Sequence, residues 1–377
     1  MSNNIRQILF VIYAVFLRLP TWAIIWLIGR TGVFKTVFVI YPHDKEEYSK
    51  LCPDYQPFIR FMSGRPTPGG LILDGWKPVG IYLFISNTPQ ELARKKNRHI
   101  ADKIVRRMQW IKKISGAKAI GFAGQLGPIL ERRHDIPMVP PFFSSTMGNV
   151  FSIEEALIHL ASKEKKHPWE LSIAILGGGE LGEILKEHFS SQGYEVSILD
   201  VKFKRRGGVE LRLSEENCRQ LDRVDFVINL LPKGDNFIDC GIADLLRPSS
   251  SVIDFSRPAI PREQLQQQVF MGNRVHRPGM RFAFSLPGDW QKLEIPACSI
   301  PSILASNFGI VEKNLANFCR AARQVSFGTA LAPIADPVPS PLYAKLQSWG
   351  NQVLLFCRPH FSFSREQFSY ALLRERK

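Results

Sequence analysis

Three glycines, Gly177, Gly179 and Gly182, stand in the spacing G-x-G-x-x-G. An apolar run, 173–176, precedes them, and a helical pattern from 180 to about 192 follows. Gly193 closes that pattern, and a second strand-like run, 195–199, ends at Asp200. Each part has a task in holding a phosphorylated dinucleotide. The first glycine permits a tight turn, the second lets backbone approach a pyrophosphate, and the third lets helix and strand pack closely. The helix N-terminus presents its positive end to the phosphates. An acid at the end of the second strand can bind a ribose 2′-hydroxyl, which favours NAD. Lys202, Lys204, Arg205 and Arg206 follow Asp200 at once and favour the 2′-phosphate of NADP, so the residues alone leave the cofactor open between the two. A glycine triplet by itself is a weak signal. Strand, glycines, helix, strand and acid in that order are a strong one.

Such a loop needs a parallel sheet to carry it. After Asp200, 224–231 and 251–255 read as further strands, and 273–276 as another. Their ends at Asn229, Asp254 and Arg277 are expected along the cofactor crevice. Ahead of the glycines, 36–41, 80–85 and 119–122 read as strands. Asn87 and Thr88 precede a helix expected over 89–114, which is rich in Lys and Arg. Ser152 with Glu155 forms a capping-box pattern for a helix over 152–163. A helix-like stretch, 299–322, comes late. The fold class expected is α/β: a Rossmann-type doubly wound parallel sheet with a smaller N-terminal α/β substrate domain. The segments run 1–33 (hydrophobic), 34–150 (substrate-binding), 151–290 (dinucleotide-binding), 291–330 (helical) and 331–377 (a basic tail).

The 377 residues carry a formal charge of +15 and are 45% hydrophobic. The charge argues for an anionic partner, whether a phosphorylated cofactor, an acidic carrier or a membrane surface. No zinc-finger spacing, helix-turn-helix signature or RNP motif is present, so nucleic acid is not expected. The six cysteines show no C-x-x-C pair and read as reduced cytosolic thiols, and the eight histidines form no H-x-x-x-H pair that would announce a metal. His134 and His276 read as structural or surface residues. The runs 8–17 and 22–29 are apolar, interrupted by Arg18 and Pro20 and flanked by Arg6, Arg30 and Lys35. Trp22 and Trp26 suit a headgroup interface. This segment reads first as an in-plane or re-entrant anchor, then as a spanning helix, and last as a core or partner-facing helix. It puts the chain at the cytoplasmic face of a membrane.

Four stretches, in order, resemble the long-chain acyl-[acyl carrier protein] reductases of cyanobacteria. They are 77–130 (KPVGIYLFISNTPQELARKKNRHIADKIVRRMQWIKKISGAKAIGFAGQLGPIL), STMGN at 145–149, the glycine segment through VINLLPKG and SVIDFSRP, and PACSIPSIL at 296–304. The resemblance covers about 35–322. It implies an enzyme that binds a nicotinamide cofactor, NADPH by preference, and reduces a fatty acyl thioester, on acyl carrier protein or coenzyme A, to a fatty aldehyde. By match it makes Cys298 the acyl-accepting nucleophile and places Thr146, Gly148 and Asn149 near the nicotinamide or substrate. Gly177, Gly179 and Gly182 match the phosphate loop. Ile300 and Pro301 stand where the family has Ala-Glu, so a supporting glutamate is missing.

A thiolate is a natural holder for an acyl group, because it exchanges with a thioester at little cost and leaves readily. A thiol needs activation to reach that form, and a helix beginning near Ser302 is expected to lower the pKa of Cys298. Backbone amides at Gly121, Gly124 or Gly148 are candidate oxyanion donors. Two rivals stand beside this reading. One is a dehydrogenase of the shikimate or amino-acid type, with direct hydride transfer to a small soluble substrate. The other is a non-catalytic nucleotide-binding protein that docks partners through its anchor and basic face.

Overall fold

Two parallel-centred sheets and a small antiparallel one carry the strands of the computed structural model, whose described residues are 7, 10–51, 56–199, 219–283 and 295–331. These residues belong to the unit Met1–Ile334, and residues 335–377 lie outside the described ones. The first half supplies β1 (Thr36–Ile40), β2 (Thr67–Asp74), β3 (Lys77–Phe84), β4 (Ala119–Phe122) and β5 (Phe142–Phe143). The glycine segment and the chain beyond it supply β6 (Ser172–Leu176), β7 (Glu195–Leu199), β8 (Phe226–Asn229), β9 (Ser251–Asp254) and β10 (Gln268–Met271). Last come β11 (Arg274–His276), β12 (Met280–Ala283), β13 (Ile295–Pro296) and β14 (Gly328–Thr329).

The second sheet has the order β10-β9-β8-β6-β7, and every pair in it is parallel. The chain leaves β6 outward to β7 and returns on the other side to β8. The crevice of such a sheet lies at that reversal, outside the carboxyl ends of the strands. The Rossmann-type α/β arrangement is therefore present. Its fifth strand is β10, whereas the expected strand at 273–276 belongs elsewhere: β11 pairs antiparallel with β13 and β14. Gly272 turns the chain between β10 and β11, against Ile253 and Phe255, with no room for a side chain. The first sheet has the order β12-β2-β3-β1-β4-β5, parallel from β3 to β5. Here β12, from the 151–290 segment, returns to pair with β2.

The helices that matter below are α1 (Arg18–Gly29), α2 (Arg98–Ser115), α3 (Leu126–His134), α4 (Thr146–Glu164), α5 (Glu180–Ser191) and α6 (Leu315–Gln324). The helix expected over 89–114 is broken. Thr88 and Glu91 form a reciprocal capping box for a short turn, Pro89–Leu92. Arg94 is then extended, and the Asn97 side chain donates to the Glu91 carbonyl, ending the turn before α2 begins. The helix expected from Ser152 starts six residues earlier, at Thr146. Ser152 lies inside α4 and donates its hydroxyl to the Gly272 carbonyl instead of capping. The stretch expected as one helix over 299–322 is two. Ile300–Ile303 runs into a π turn, Leu304–Phe308, and α6 starts afresh after Asn314, which caps it through Asn317 N–H.

The buried face of α4 bridges the two sheets. Phe151 packs in one cluster with Phe38 of the first sheet and with Ile300 and Phe318 from the helices beside it. Ile153, Leu157 and Leu160 pack in another with Ile175 and Phe226 of the second sheet and Phe189 of α5. Fully burying such side chains stabilises by about 1.5–3 kcal/mol each. One helix thus fixes both sheets to a common axis and holds its own N-terminus between their carboxyl ends.

Candidate active site

That meeting point is a cleft of about 350 Å³. Its walls come from the loops after β1, β4, β6, β8 and β9, from the first turn of α4, and from the turn carrying Cys298. Gly177 sits at φ +113°, a conformation that side chains rarely adopt. A Cβ at Gly182 would run into the Gly177 carbonyl, so the third glycine is what lets α5 close on β6. Gly179 is the N-cap of α5, and a Cβ there would meet nothing within 4 Å. The loop thus leaves an open cradle at a helix N-terminus, and its residues fit a pyrophosphate. Glu180, next in the chain, is held to one side by Arg132 at 2.5 Å.

Asn229 is fully buried behind the cleft wall. Its amide donates to Asp254 at 2.9 Å, and its oxygen accepts from Leu231 N–H at 3.2 Å. Asp254, also buried, accepts from Ser256 N–H, Ser256 Oγ and Ile260 N–H. The pair orders the loops that carry Leu231, Pro232 and Arg257 into the cleft. Asp200 and Lys202, with the basic run after them, lie outside the described residues.

Cys298 is half-buried on a 3-10 turn, Ala297–Ser299. Gly148 supports that turn from α4, where a Cβ would collide with the Ala297 carbonyl. Gly148 therefore packs behind the turn, while Thr146 and Asn149 reach the cleft. The expected activation of the thiol is not what the site produces. Burial pushes the Cys298 pKa up, and the Gly124 N–H and the Arg257 charge only partly oppose it. Gly124 is thus the candidate donor beside the sulfur, whereas Gly121 lies within β4 between β1 and β5.

Three cleft residues escaped the sequence reading. Tyr41 follows directly on β1, and its hydroxyl accepts from Gln125 N–H at 2.7 Å. Burial pushes its pKa well above the ordinary range, so it keeps its proton. His43 lies two residues on and is pushed down by burial, so it is neutral at pH 7. Arg257, three residues after β9, exerts its charge on Tyr41, His43 and Cys298 alike. Their one sequence signal was position, just past the carboxyl ends of parallel strands. Across the rim, Lys233 reaches Asp44 at 3.2 Å and ties the two walls.

Other expected positions fall elsewhere. Arg277 is not at the crevice: it donates to Asp74 Oδ1 and the Val325 carbonyl, both at 2.9 Å, and lies over the Phe308 ring. His134 is buried and bonds the Leu92 carbonyl at 2.6 Å. His276 bonds the Thr329 carbonyl at 2.7 Å. Away from the cleft, Glu154, His188 and Cys319 bring their donor atoms within 4.8 Å of one another in the interior. Glu154 takes 2.8 Å from His188 and 2.6 Å from Arg323, whose guanidinium also reaches Glu155. Arg323 supplies there the positive charge that a cation would bring.

No protein-family model matches the chain, and no curated protein matches its sequence. The resemblance to acyl-[acyl carrier protein] reductases thus finds no support from either. Solved structures do align. Shikimate 5-dehydrogenase from Thermus thermophilus, in complex with NADP(H) and shikimate, aligns over 78% of this chain and 100% of its own, at 10% identity and TM-score 0.37. A D-isomer specific 2-hydroxyacid dehydrogenase from Xanthobacter autotrophicus, in complex with NADPH, aligns over 38% and 53%, at 18% identity and TM-score 0.22. An NADPH-dependent glyoxylate/hydroxypyruvate reductase from Sinorhizobium meliloti aligns over 29% and 52%, at 17% identity and TM-score 0.21. The chain thus spans about half the length of the latter two. At these scores the likeness is one of general α/β arrangement.

Proposed function

We propose that the protein is an NAD(P)H-dependent oxidoreductase, NADPH by preference, acting by direct transfer on a small carbonyl or hydroxy acid held in the cleft. One observation carries this reading. An open glycine cradle at the start of α5 and the group Tyr41, His43 and Arg257 line the same 350 Å³ space. When bound, the cofactor supplies a hydride donor or acceptor. The chain's own residues do the rest. Gly177, Gly179 and the first turn of α5 hold the phosphates. Arg257 draws an anionic group of the substrate towards Tyr41 and His43. Tyr41, kept protonated, donates a hydrogen bond to the reacting oxygen, and neutral His43 exchanges the proton with solvent. The nicotinamide-linked dehydrogenases that align with the chain are consistent with this class of reaction without bearing on its substrate.

Cys298 favours a second reading. Its sulfur shares the cleft and has Gly124 N–H beside it. In that reading an acyl group passes from its carrier to Cys298 Sγ as a new thioester, and the carrier leaves as a free thiol. The raised pKa means that a base must first take the thiol proton, and His43 is the neutral base in the same cleft. The acyl-enzyme is then reduced to the aldehyde, which frees the thiol.

One experiment separates the two. NADPH oxidation is followed with small keto acids and with a long-chain acyl thioester, on wild type, Tyr41→Phe and Cys298→Ala, alongside intact-protein mass spectra. Direct transfer predicts that Tyr41→Phe loses about a hundredfold or more in kcat, while Cys298→Ala stays within about threefold. An acyl-sized mass gain on wild type that disappears in Cys298→Ala would establish the second reading in its place. Failure of wild type to bind either NADPH or NADH would remove both.

A further inference from the structure

The helix from Phe10 to Gly29 spans 20 residues; an 18-residue stretch of it has mean hydropathy 1.9, and only 17% of that stretch is buried. It does not stand away from the protein. Trp22, Ile25 and Gly29 are buried, and they lie on one side at helical spacing. That side lies on α2: Trp22 meets Trp110 edge to face at 5.7 Å, and Gly29 sits so close to the Ile114 and Ser115 carbonyls that no side chain would fit. The other side is bare. Phe16 and Leu19 are 70% exposed, Leu27 60% and Ile24 55%. Crossing a bilayer would carry α2 with it, and α2 holds Lys103, Arg106, Arg107, Lys112 and Lys113. Each such charge at the bilayer centre costs about 2.5–3.5 kcal/mol or more. The packing therefore argues against spanning and for lying flat.

A second feature adjoins the helix. Arg18, at the start of α1, and Arg65 place their guanidiniums 5.5 and 4.4 Å from the centre of the Phe61 ring. Lys103 donates to the Ser63 carbonyl at 2.7 Å. Arg107 feels the charges of both Arg65 and Arg18, and Lys103 those of Arg107 and Arg65. Burial and this mutual repulsion push the pKa values of Arg18, Lys103 and Arg107 down. Among the described residues none of the four makes an ion pair. Arg65 Nε is buried without a hydrogen-bond partner. Four cations gathered with no anionic partner among the described residues are a site awaiting one, and this group adjoins the start of α1, midway along the exposed apolar stretch 10–29.

We propose that α1 seats the protein in the plane of an anionic bilayer, with Leu19, Ile24 and Leu27 among the acyl chains and Arg18, Arg65, Lys103 and Arg107 holding a lipid phosphate. Apolar insertion and headgroup binding then act together, as stable anchoring requires. The seating is independent of the reaction in the cleft. The full-length chain is tested by flotation with phosphatidylcholine vesicles and with vesicles containing 30% phosphatidylglycerol, at low and high salt. Wild type should float with the anionic vesicles and far less with the neutral ones. Arg65→Gln/Arg107→Gln should lower anionic binding about 20- to 30-fold, roughly fivefold per charge, and leave neutral binding unchanged. Leu19→Asp/Leu27→Asp should lower both at least tenfold. Circular dichroism melts check that both variants fold, and the arginine pair keeps the test decisive if the leucine pair does not. Three results would each overturn the proposal: no flotation, equal flotation with both lipids, or an effect of the arginine pair on neutral vesicles. A soluble dimer that the leucine substitutions break would assign the face to a second copy instead.

Discussion

Gly179→Asp is expected to keep the wild-type melting temperature and to lose at least a hundredfold in affinity for NADPH. The first half rests on the space around Gly179. A side chain there meets no atom within 4 Å, and the backbone is at φ −75°, ψ −176°, which any residue adopts. The residue is the N-cap of α5, where aspartate is preferred to glycine, so the helix itself gains a few tenths of a kcal/mol. The second half rests on the use of that open space. A carboxylate placed about 5 Å from a phosphate, at an effective dielectric near 20, costs about 3 kcal/mol per unit pair. That is more than a hundredfold in Kd before steric exclusion is counted. Calorimetric titration with NADPH, next to a thermal melt, checks both. A variant that binds NADPH as wild type does would remove the cradle from the cofactor site. Gly182→Ala makes a poor substitute test, because its Cβ would strike the Gly177 carbonyl and disturb the fold with the ligand.

The features legible in the sequence were local. Strand, glycines, helix and strand from 172 to 199 are consecutive in the chain, and each is fixed by its own periodicity or by a glycine. The cleft is another matter. Tyr41, His43, Arg257 and Cys298 meet only because α4 fixes the two sheets with their carboxyl ends facing, and no pattern within any one segment encodes that. The start of α4 differs from expectation for a related reason. Ser152 has the form of a cap, but Gly272, 120 residues on, takes its hydroxyl, and the helix runs through it. The strand β10 is hard to read because Gly272 and the turn after it draw attention to 273–276, whose partners are antiparallel. The direction of the Cys298 shift was also hidden. A helix N-terminus can be read from sequence, whereas burial is a property of the assembled cleft, and here it dominates.

Glu154→Gln is expected to destabilise the protein by about 3 kcal/mol at neutral pH, with the loss shrinking in acid. Glu154 is 4% exposed and comes from α4, His188 from α5, and Arg323 from α6, so one carboxylate ties three helices. The hydrogen bonds from His188 and Arg323 outweigh its burial and hold its pKa at about 2, against an ordinary 4.5. A lowered carboxyl stabilises fully above its unfolded value and loses that contribution as pH falls through its folded one. The difference between 4.5 and 2 corresponds to about 3 kcal/mol at pH 7, about 2 at pH 3.5 and about 1 at pH 2.5. Glu155 acts in the opposite sense, because burial raises its pKa despite Arg323, so the wild-type acid profile is shallower than Glu154 alone would make it. Glu154's own charge is one of the causes that raise Glu155, so Glu154→Gln also relieves part of that opposing shift. Cys319, pushed far up by burial and by Glu154, stays a thiol that donates to the same carboxylate. Urea unfolding of both proteins at pH 7, 3.5 and 2.5 measures the gap. A gap that does not change with pH would mean that the shape of Glu154, and not its charge, joins the three helices. The absence of any gap at pH 7 would mean that Glu155 alone suffices to hold Arg323.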